Sequence, residues 1–453
     1  MVKIYYFCGV FNSVIMEARE LYELYTACGS ITTDSRHCPA GSMFIALKGE
    51  SFDGNRFAAS ALEQGCSVAL VDDEEVARSY RGPGRMVLVD DCLQSYKDIA
   101  REHRRLFHRP VIGITGTNGK TTTKELIRAV LAEKYNVMAT EGNFNNDVGV
   151  PKTLLRLTAE HDIAVVEMGA SHPGDIKTLA ETAEPTCGLI TNVGKAHLLG
   201  FGSLEGVVKT KGELYDNLAS RPESVIFVND DNALLTAILP PDLATERYTR
   251  HADNDRCRVQ GEVVACDPFL RLRWREGKDN EWHNIDTHLI GSYNLYNALA
   301  AITIGLHFHV PADDICHAIA AFVPANNRSQ LTRTEHNALI VDAYNANPTS
   351  MEAALDNFDL MQVAPKMAII GEMRELGATS REEHCRLVER LQRSDVDTVW
   401  LVGEAFNDID CSFTKYRDVD DVKAALTEQR PEGYHILIKG SNGNRLYQLP
   451  ELL

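Results

Sequence analysis

Residues 111–124, Val-Ile-Gly-Ile-Thr-Gly-Thr-Asn-Gly-Lys-Thr-Thr-Thr-Lys, place an unbroken apolar run directly before a glycine-rich turn and a helical pattern. The turn requires a strand behind it and a helix ahead of it. Leu126, Ile127, Val130 and Leu131 recur at helical spacing and give that helix one buried face. Gly116 and Gly119 let backbone N–H groups approach phosphate oxygens, Lys120 can reach the β- and γ-phosphates, and the Thr121 hydroxyl can ligate Mg²⁺ at the positive end of the helix. The loop is a variant of the common phosphate loop, which would carry glycine where Ile114 stands. An accidental Gly/Asn turn with an exposed lysine would need strand, glycines, Lys-Thr and helix to coincide.

A chain of 453 residues exceeds one ordinary core, and three blocks are expected: 1–108, 109–324 and 325–453. Strand-like runs at Met43–Leu47, Ser67–Val71 and Met86–Val89 mark the first. In the second, Asp162–Val166, Cys187–Asn192 and Val225–Val228 alternate with helical segments, the pattern of a mostly parallel sheet, followed by an antiparallel ribbon over Cys257–Arg275 and a helix through Leu295–Leu306. The third has strands at Ala338–Val341, Met367–Ile370, Val399–Val402 and Ile436–Ile438 and reads as a second open α/β unit. The fold class is therefore α/β in three domains.

Lys and Arg number 46 against 64 Asp and Glu, a net charge of −18, so a phosphorylated ligand must be captured by local donors and metal ions. Nucleic acid is not expected as a partner. No apolar run has membrane-spanning length, and stable membrane insertion is not expected. Eleven cysteines without a Cys-x-x-Cys pair fit reduced cytosolic thiols and a cytoplasmic protein. Met1 to Ile15 read as an extra leader before a second start at Met16 rather than as a signal peptide.

Glu167 stands at the carboxyl end of its strand, where ligands of open α/β sheets collect, and His197 falls in the loop after the next strand. Alone, His197 is more often a structural or surface histidine, and Glu167 is evenly balanced between metal ligand and solvated strand end. Their joint placement points to a shared metal site.

Gly116-Thr-Asn-Gly-Lys-Thr-Thr-Thr-Lys-Glu125, Glu141-Gly-Asn-Phe-Asn-Asn-Asp-Val-Gly-Val-Pro151, Asn192-Val-Gly-Lys-Ala-His-Leu-Leu-Gly-Phe-Gly-Ser203 and Lys209-Thr-Lys-Gly-Glu213 together resemble the Mur ligases of peptidoglycan synthesis. Asp342-Ala-Tyr-Asn-Ala-Asn-Pro-Thr-Ser-Met351 is most similar to the branch that adds D-alanyl-D-alanine, and Thr32-Thr-Asp-Ser-Arg36, Phe44-Ile-Ala-Leu-Lys-Gly49 and Phe52-Asp-Gly-Asn-Arg-Phe57 resemble its UDP-sugar domain. The resemblance implies an amino-terminal UDP-muramoyl domain, a central phosphate-loop domain and a carboxy-terminal Rossmann-like domain. It also implies ATP-dependent ligation through an acyl phosphate, with ATP, two Mg²⁺ ions, UDP-N-acetylmuramoyl-tripeptide and D-alanyl-D-alanine as ligands; separately from the resemblance, a monomer is expected.

By the same resemblance, Gly116, Thr117, Asn118, Gly119, Lys120, Thr121, Thr122, Asn294, Arg328 and Asp342 bind ATP. Asn294 also stands where a helix-capping role is open to it. Thr121, Glu167, His197 and Lys211 serve the metals, Lys211 as a carbamate; Lys120, Glu167, His197 and Lys211 form the catalytic set. Substrate contacts are implied for Asp34, Ser35, Arg36, Lys48, Asn143, Asn145, Asn146 and Ser171, and for Tyr344, Asn345 and Asn347 in the loop facing the dipeptide. Ala325-Asn-Asn-Arg328 departs from the more usual Pro-Gly-Arg, and after Lys439-Gly-Ser441 the match ends. Folylpolyglutamate synthetase is the nearer enzymatic alternative but lacks the UDP-sugar domain. A kinase or nucleotide switch fits the motifs poorly, and a noncatalytic ATP-binding scaffold would show no response to an amine acceptor.

Overall fold

The computed structural model describes residues 2–4, 14–278, 280–324 and 330–453. Each of three sheets occupies its own stretch of chain. Ile31–Thr32, Met43–Ile45, Val68–Val71 and Arg85–Leu88 form a four-stranded parallel sheet in chain order. The central sheet has nine strands in the order Val137–Ala139, Ile163–Glu167, Val111–Thr115, Cys187–Ile190, Val225–Asn229, Ala244–Thr249, Val259–Cys266, Phe269–Glu276, His283–Ile290. Its first seven strands run parallel, the eighth is antiparallel to the seventh and the ninth antiparallel to the eighth. The third sheet runs Gln330–Arg333, Ala338–Asp342, His435–Lys439, Lys366–Gly371, Thr398–Val402, Thr414–Tyr416, with only the first antiparallel to its neighbour.

The expected ribbon proves to be three strands; Ala244–Thr249 and Thr414–Tyr416 are additions. Both added strands are only partly buried, so they lack the unbroken apolar run that a doubly covered strand requires. Val2–Ile4 pairs antiparallel with Val14–Met16.

Register positions the site. Glu167 pairs with Ile114 and Ile190 with Thr115, so the three central strands end at one level and their loops share one edge. Behind the phosphate loop, helix Lys120–Ala132 buries Leu126, Ile127, Val130 and Leu131 completely. It packs on helix Asn294–His307, where a Cβ on Gly305 would come within 2.6 Å of the Val130 Cγ1 atom. Gly305→Ala should therefore cost about 1–3 kcal/mol of stability through overpacking, read as a lower midpoint in urea unfolding at unchanged slope.

The first sheet is tied to the second by Arg104. Its buried guanidinium donates to the Ala183, Glu184 and Phe107 carbonyls at 2.7–2.9 Å, and Arg101 and Arg105 flank it on the Glu184 carboxylate. No helix among the described residues is long and apolar enough to cross a membrane, and no disulfide joins the described cysteines.

Candidate active site

The phosphate loop is built against the next strand end. Gly116 has φ +143, and a Cβ there would stand 2.0 Å from the Thr191 hydroxyl, so only glycine lets the loop lie this close. The Thr117 N–H donates to the Asn192 carbonyl at 2.9 Å, the Asn118 N–H donates to the Asn192 side chain at 3.0 Å, and the Thr191 hydroxyl donates to the Asn118 carbonyl at 2.7 Å. Gly119 is the left-handed cap of the following helix, whose first residue, Lys120, holds its ammonium on the Gly116 and Thr117 carbonyls at 2.7 and 3.1 Å. Thr122 lines the same opening.

Glu167 is 1% exposed. Its Oε1 accepts from the Thr121 hydroxyl at 3.1 Å and the Asn145 amide at 2.8 Å, while Oε2 is buried without a hydrogen-bond partner. A carboxylate oxygen left dry and unpaired beside a phosphate loop is a place for a hard cation. No group of three His, Cys, Asp or Glu side chains gathers for a metal among the described residues, so a cation here must draw further oxygens from Thr121, a phosphate or a modified side chain.

His197 does not simply extend that donor set. It has φ +50, and its Nδ1 pairs across to Glu375 of the third sheet's domain, itself at φ +62. The close pairing with His197 is the main cause holding the Glu375 carboxyl below its ordinary range. The Leu199 N–H donates to the Glu375 carbonyl at 3.0 Å, and Lys195 bonds Glu383 at 2.7 Å. Two non-glycine residues held in the left-handed region therefore meet across a domain junction, each at a cost of order 1 kcal/mol that the surrounding contacts must offset.

Lys211, in helix Leu204–Ala219, is 2% exposed. Its ammonium position lies 3.5 Å from the Ala170 carbonyl and 5.5 Å from the Phe201 ring centre. Burial, and secondarily the charge of Lys120, push its pKa well below the ordinary lysine value. Glu213 of the same motif caps the neighbouring helix, accepting from the Gly174 and Lys177 N–H groups at 2.9 and 2.8 Å.

A cavity of about 860 Å³ joins the phosphate loop to the third sheet. Lys120, Thr121, Glu167, Ser171, His197 and Asn294 line one side; Asp342, Tyr344, Asn345, Arg374, Lys439 and Ser441 line the other. Lys211 is not among the lining residues. Asn294, buried at the start of its helix, donates to the Ile290 carbonyl at 2.8 Å and accepts from Asn297 at 2.7 Å, and its side chain makes no cap bond. Asp342 is held by the buried Lys439 at 2.5 Å. Arg328 lies outside the described residues.

The other expected substrate residues divide. Asn145 and Asn146 line the cavity, with the Asn146 side chain accepting the Gly149 N–H at 2.9 Å; Asn143 is exposed and does not. Asp34, Ser35 and Arg36 lie apart in the connection between Ile31–Thr32 and Met43–Ile45, and Lys48 lies in the short strand Lys48–Gly49 paired with Phe52–Asp53. There Arg36 grips Asp34 bidentately at 2.8 and 2.9 Å, and Lys48 pairs with Asp72 at 2.8 Å.

Asn347 departs from the expected dipeptide contact. Its amide donates to the Asn118 side chain at 2.8 Å and its oxygen caps helix Pro348–Leu360 through the Ser350 N–H at 2.9 Å. Asn347→Ala should raise the KM values for ATP and for the amine acceptor together, not selectively, and lower stability by about 1 kcal/mol through the lost cap. Steady-state kinetics with either substrate varied, and a melting curve, check both parts.

Asn297, which accepts from the Thr123 hydroxyl at 3.0 Å, Thr140, which accepts the Glu167 N–H at 3.0 Å, Thr191, Lys439 and Glu375 were not identified from sequence. Lys439 had a local signal, a lysine closing an apolar strand run; the others act only through distant partners.

Three consecutive models match the chain: "Mur ligase family, catalytic domain" over residues 29–103, "Mur ligase middle domain" over 114–305, and "Mur ligase, glutamate ligase domain" over 327–442. The UDP-N-acetylmuramoyl-tripeptide–D-alanyl-D-alanine ligase of Bacillus subtilis (strain 168) is 32% identical over 438 residues, spanning 94% of this chain and 93% of its own. A crystal structure of MurF from Acinetobacter baumannii superposes with a TM-score of 0.85 at 28% identity, covering 96% of this chain and 97% of that one. MurF ligase from Thermotoga maritima, in complex with ADP, gives 0.83 at 25% identity over 93% and 96% of the two chains. With each of the three sheets falling under a model of one family and a relative aligned along nearly the whole length, the chain belongs to the Mur ligases.

Proposed function

We propose that the chain joins D-alanyl-D-alanine to UDP-N-acetylmuramoyl-tripeptide at the expense of ATP, in the cytoplasmic assembly of peptidoglycan precursors, acting as a monomer. The observation that carries this reading is the cavity walled on one side by a phosphate loop and on the other by the third domain. An acid activated by phosphate can meet an amine in that space without passing through water. The T. maritima relative's ADP complex and the curated relative's name support the nucleotide and the substrates.

A carboxylate is a poor acyl donor because its leaving group would be oxide. The terminal carboxylate of the tripeptide attacks the γ-phosphorus of ATP, the bond to the bridging oxygen breaks, and ADP leaves an acyl phosphate behind. The acceptor amine then adds to the acyl carbon, and phosphate departs with the C–O electron pair. Lys120 and the loop N–H groups offset the repulsion between carboxylate and triphosphate. Thr121, Glu167, His197 and a carbamate on Lys211 are the residues that would hold two Mg²⁺ ions, which when bound supply further charge neutralisation. The contacts of Lys195, His197, Leu199 and Asn347 hold the third domain over the loop, aligning the amine and excluding water that would hydrolyse the acyl phosphate.

ADP release measured with UDP-muramoyl tripeptides, with and without D-alanyl-D-alanine, tests the reading. Release that requires both supports it. Release with folate and glutamate instead would favour the folylpolyglutamate alternative, and nucleotide binding without release would favour a scaffold.

A further inference from the structure

A zwitterionic acceptor presents two charges, and the chemistry above uses only its amine. The carboxylate needs a cation on the far wall, because a dipeptide spans about 7 Å and its reacting end must face the phosphate loop. Among the described residues, three lysine and arginine side chains line the cavity: Lys120, Arg374 and Lys439. Lys120 belongs to the phosphate loop, and Lys439 is neutralised by Asp342 at 2.5 Å while buried at 1% exposure. We infer that Arg374 receives the terminal carboxylate of the incoming dipeptide and so sets the enzyme's choice of acceptor. This rests on the ligase reading above.

Arg374 is positioned for such a role. It follows strand Lys366–Gly371, and its backbone N–H donates to the Ser441 hydroxyl at 3.3 Å, which fixes its base on the cavity rim. Its side chain is 54% exposed and is not closed into a bidentate pair. The nearest carboxylate oxygen, on Glu372, lies 3.7 Å from Nε, and Nη2 reaches the Gly443 carbonyl at 3.3 Å. The next acid, Glu375, faces His197 instead. The guanidinium packs against Gly443, where a Cβ would come within 2.2 Å of Nη1 and 2.5 Å of Cζ. A planar fork resting on bare backbone, with charge to spare, matches a carboxylate in two parallel hydrogen bonds.

The test compares D-alanyl-D-alanine with D-alanyl-D-alaninamide, whose end is uncharged, as acceptors for the full-length enzyme with tripeptide and ATP. Wild type should use the dipeptide with kcat/KM roughly 10- to 100-fold above the amide. Arg374→Gln should raise the dipeptide KM by a similar factor and leave the amide and ATP values within about twofold, so that discrimination disappears. Arg374→Lys should restore part of it. Gly443→Ala, which displaces only the end of a flexible side chain, should weaken dipeptide use in the same selective sense. Equal losses on both acceptors, or an unchanged dipeptide KM in Arg374→Gln, would overturn the assignment while leaving the ligase reading intact. A wild type that releases ADP with neither acceptor would remove both.

Discussion

Lys120→Ala should abolish ligation while leaving the fold intact. The side chain sits at the first turn of helix Lys120–Ala132, and its ammonium contacts the carbonyls of Gly116 and Thr117, not the apolar face of Leu126, Ile127, Val130 and Leu131. Its removal takes away the charge that must meet the β- and γ-phosphates as negative charge gathers on them. Loss of one preorganised donor of this kind costs about 10²–10³ in turnover, and here a full charge goes with it. The purified variant should melt within about 2 °C of wild type, since no cavity or buried charge is created. Near-normal turnover would mean that the loop does not serve the triphosphate.

An equally large loss is expected at Lys211 for a different reason. A buried lysine is costly to charge, and burial, with Lys120 as the lesser contributor, moves its pKa well below the ordinary value. The neutral amine is the form that would add CO₂: a C–N bond forms, one N–H proton leaves to solvent, and the neutral side chain becomes an anionic carbamate. Lys211→Ala should therefore lose most activity, and added formate or acetate should restore part of it by supplying the missing negative charge. Lys211→Met, which keeps the volume, separates this from a packing defect. It should be as inactive as the alanine variant but nearer to wild type in melting temperature. Full activity of either variant would end the assignment, and loss in both without carboxylate rescue would mean that the ammonium itself is required.

The first of these expectations was legible in residues 111–124, the second was not. Strand, glycines, Lys120, Thr121 and the apolar helix face lie within a few residues of one another, so local geometry dictates how they meet. The central strands were legible for a related reason: sheets covered on both faces need uninterrupted apolar runs, as in Val111–Thr115 and Ile163–Glu167, all of whose residues are buried. Edge and ribbon strands such as Thr414–Tyr416 and His283–Ile290 carry mixed residues and left a weaker trace. The role of Lys211 came only through resemblance, because a lysine among Lys209, Thr210 and Glu213 reads as a solvated helix face until the fold shows it buried beneath Phe201 and Ala170.

The sequence by itself determined an α/β architecture, a phosphate loop at Gly116–Thr121 and an acidic chain that must bind phosphate through local donors. Only the tertiary structure decided what those groups work against. Asn347 meets Asn118 across 229 residues, His197 turns to Glu375, Lys439 is spent on Asp342, and Arg374 is left facing the cavity with charge to offer. Hydrogen bonds and ion pairs are decided by separations of a few ångströms, and such separations between distant segments arise only when three sheets have packed. No periodicity along the chain encodes them.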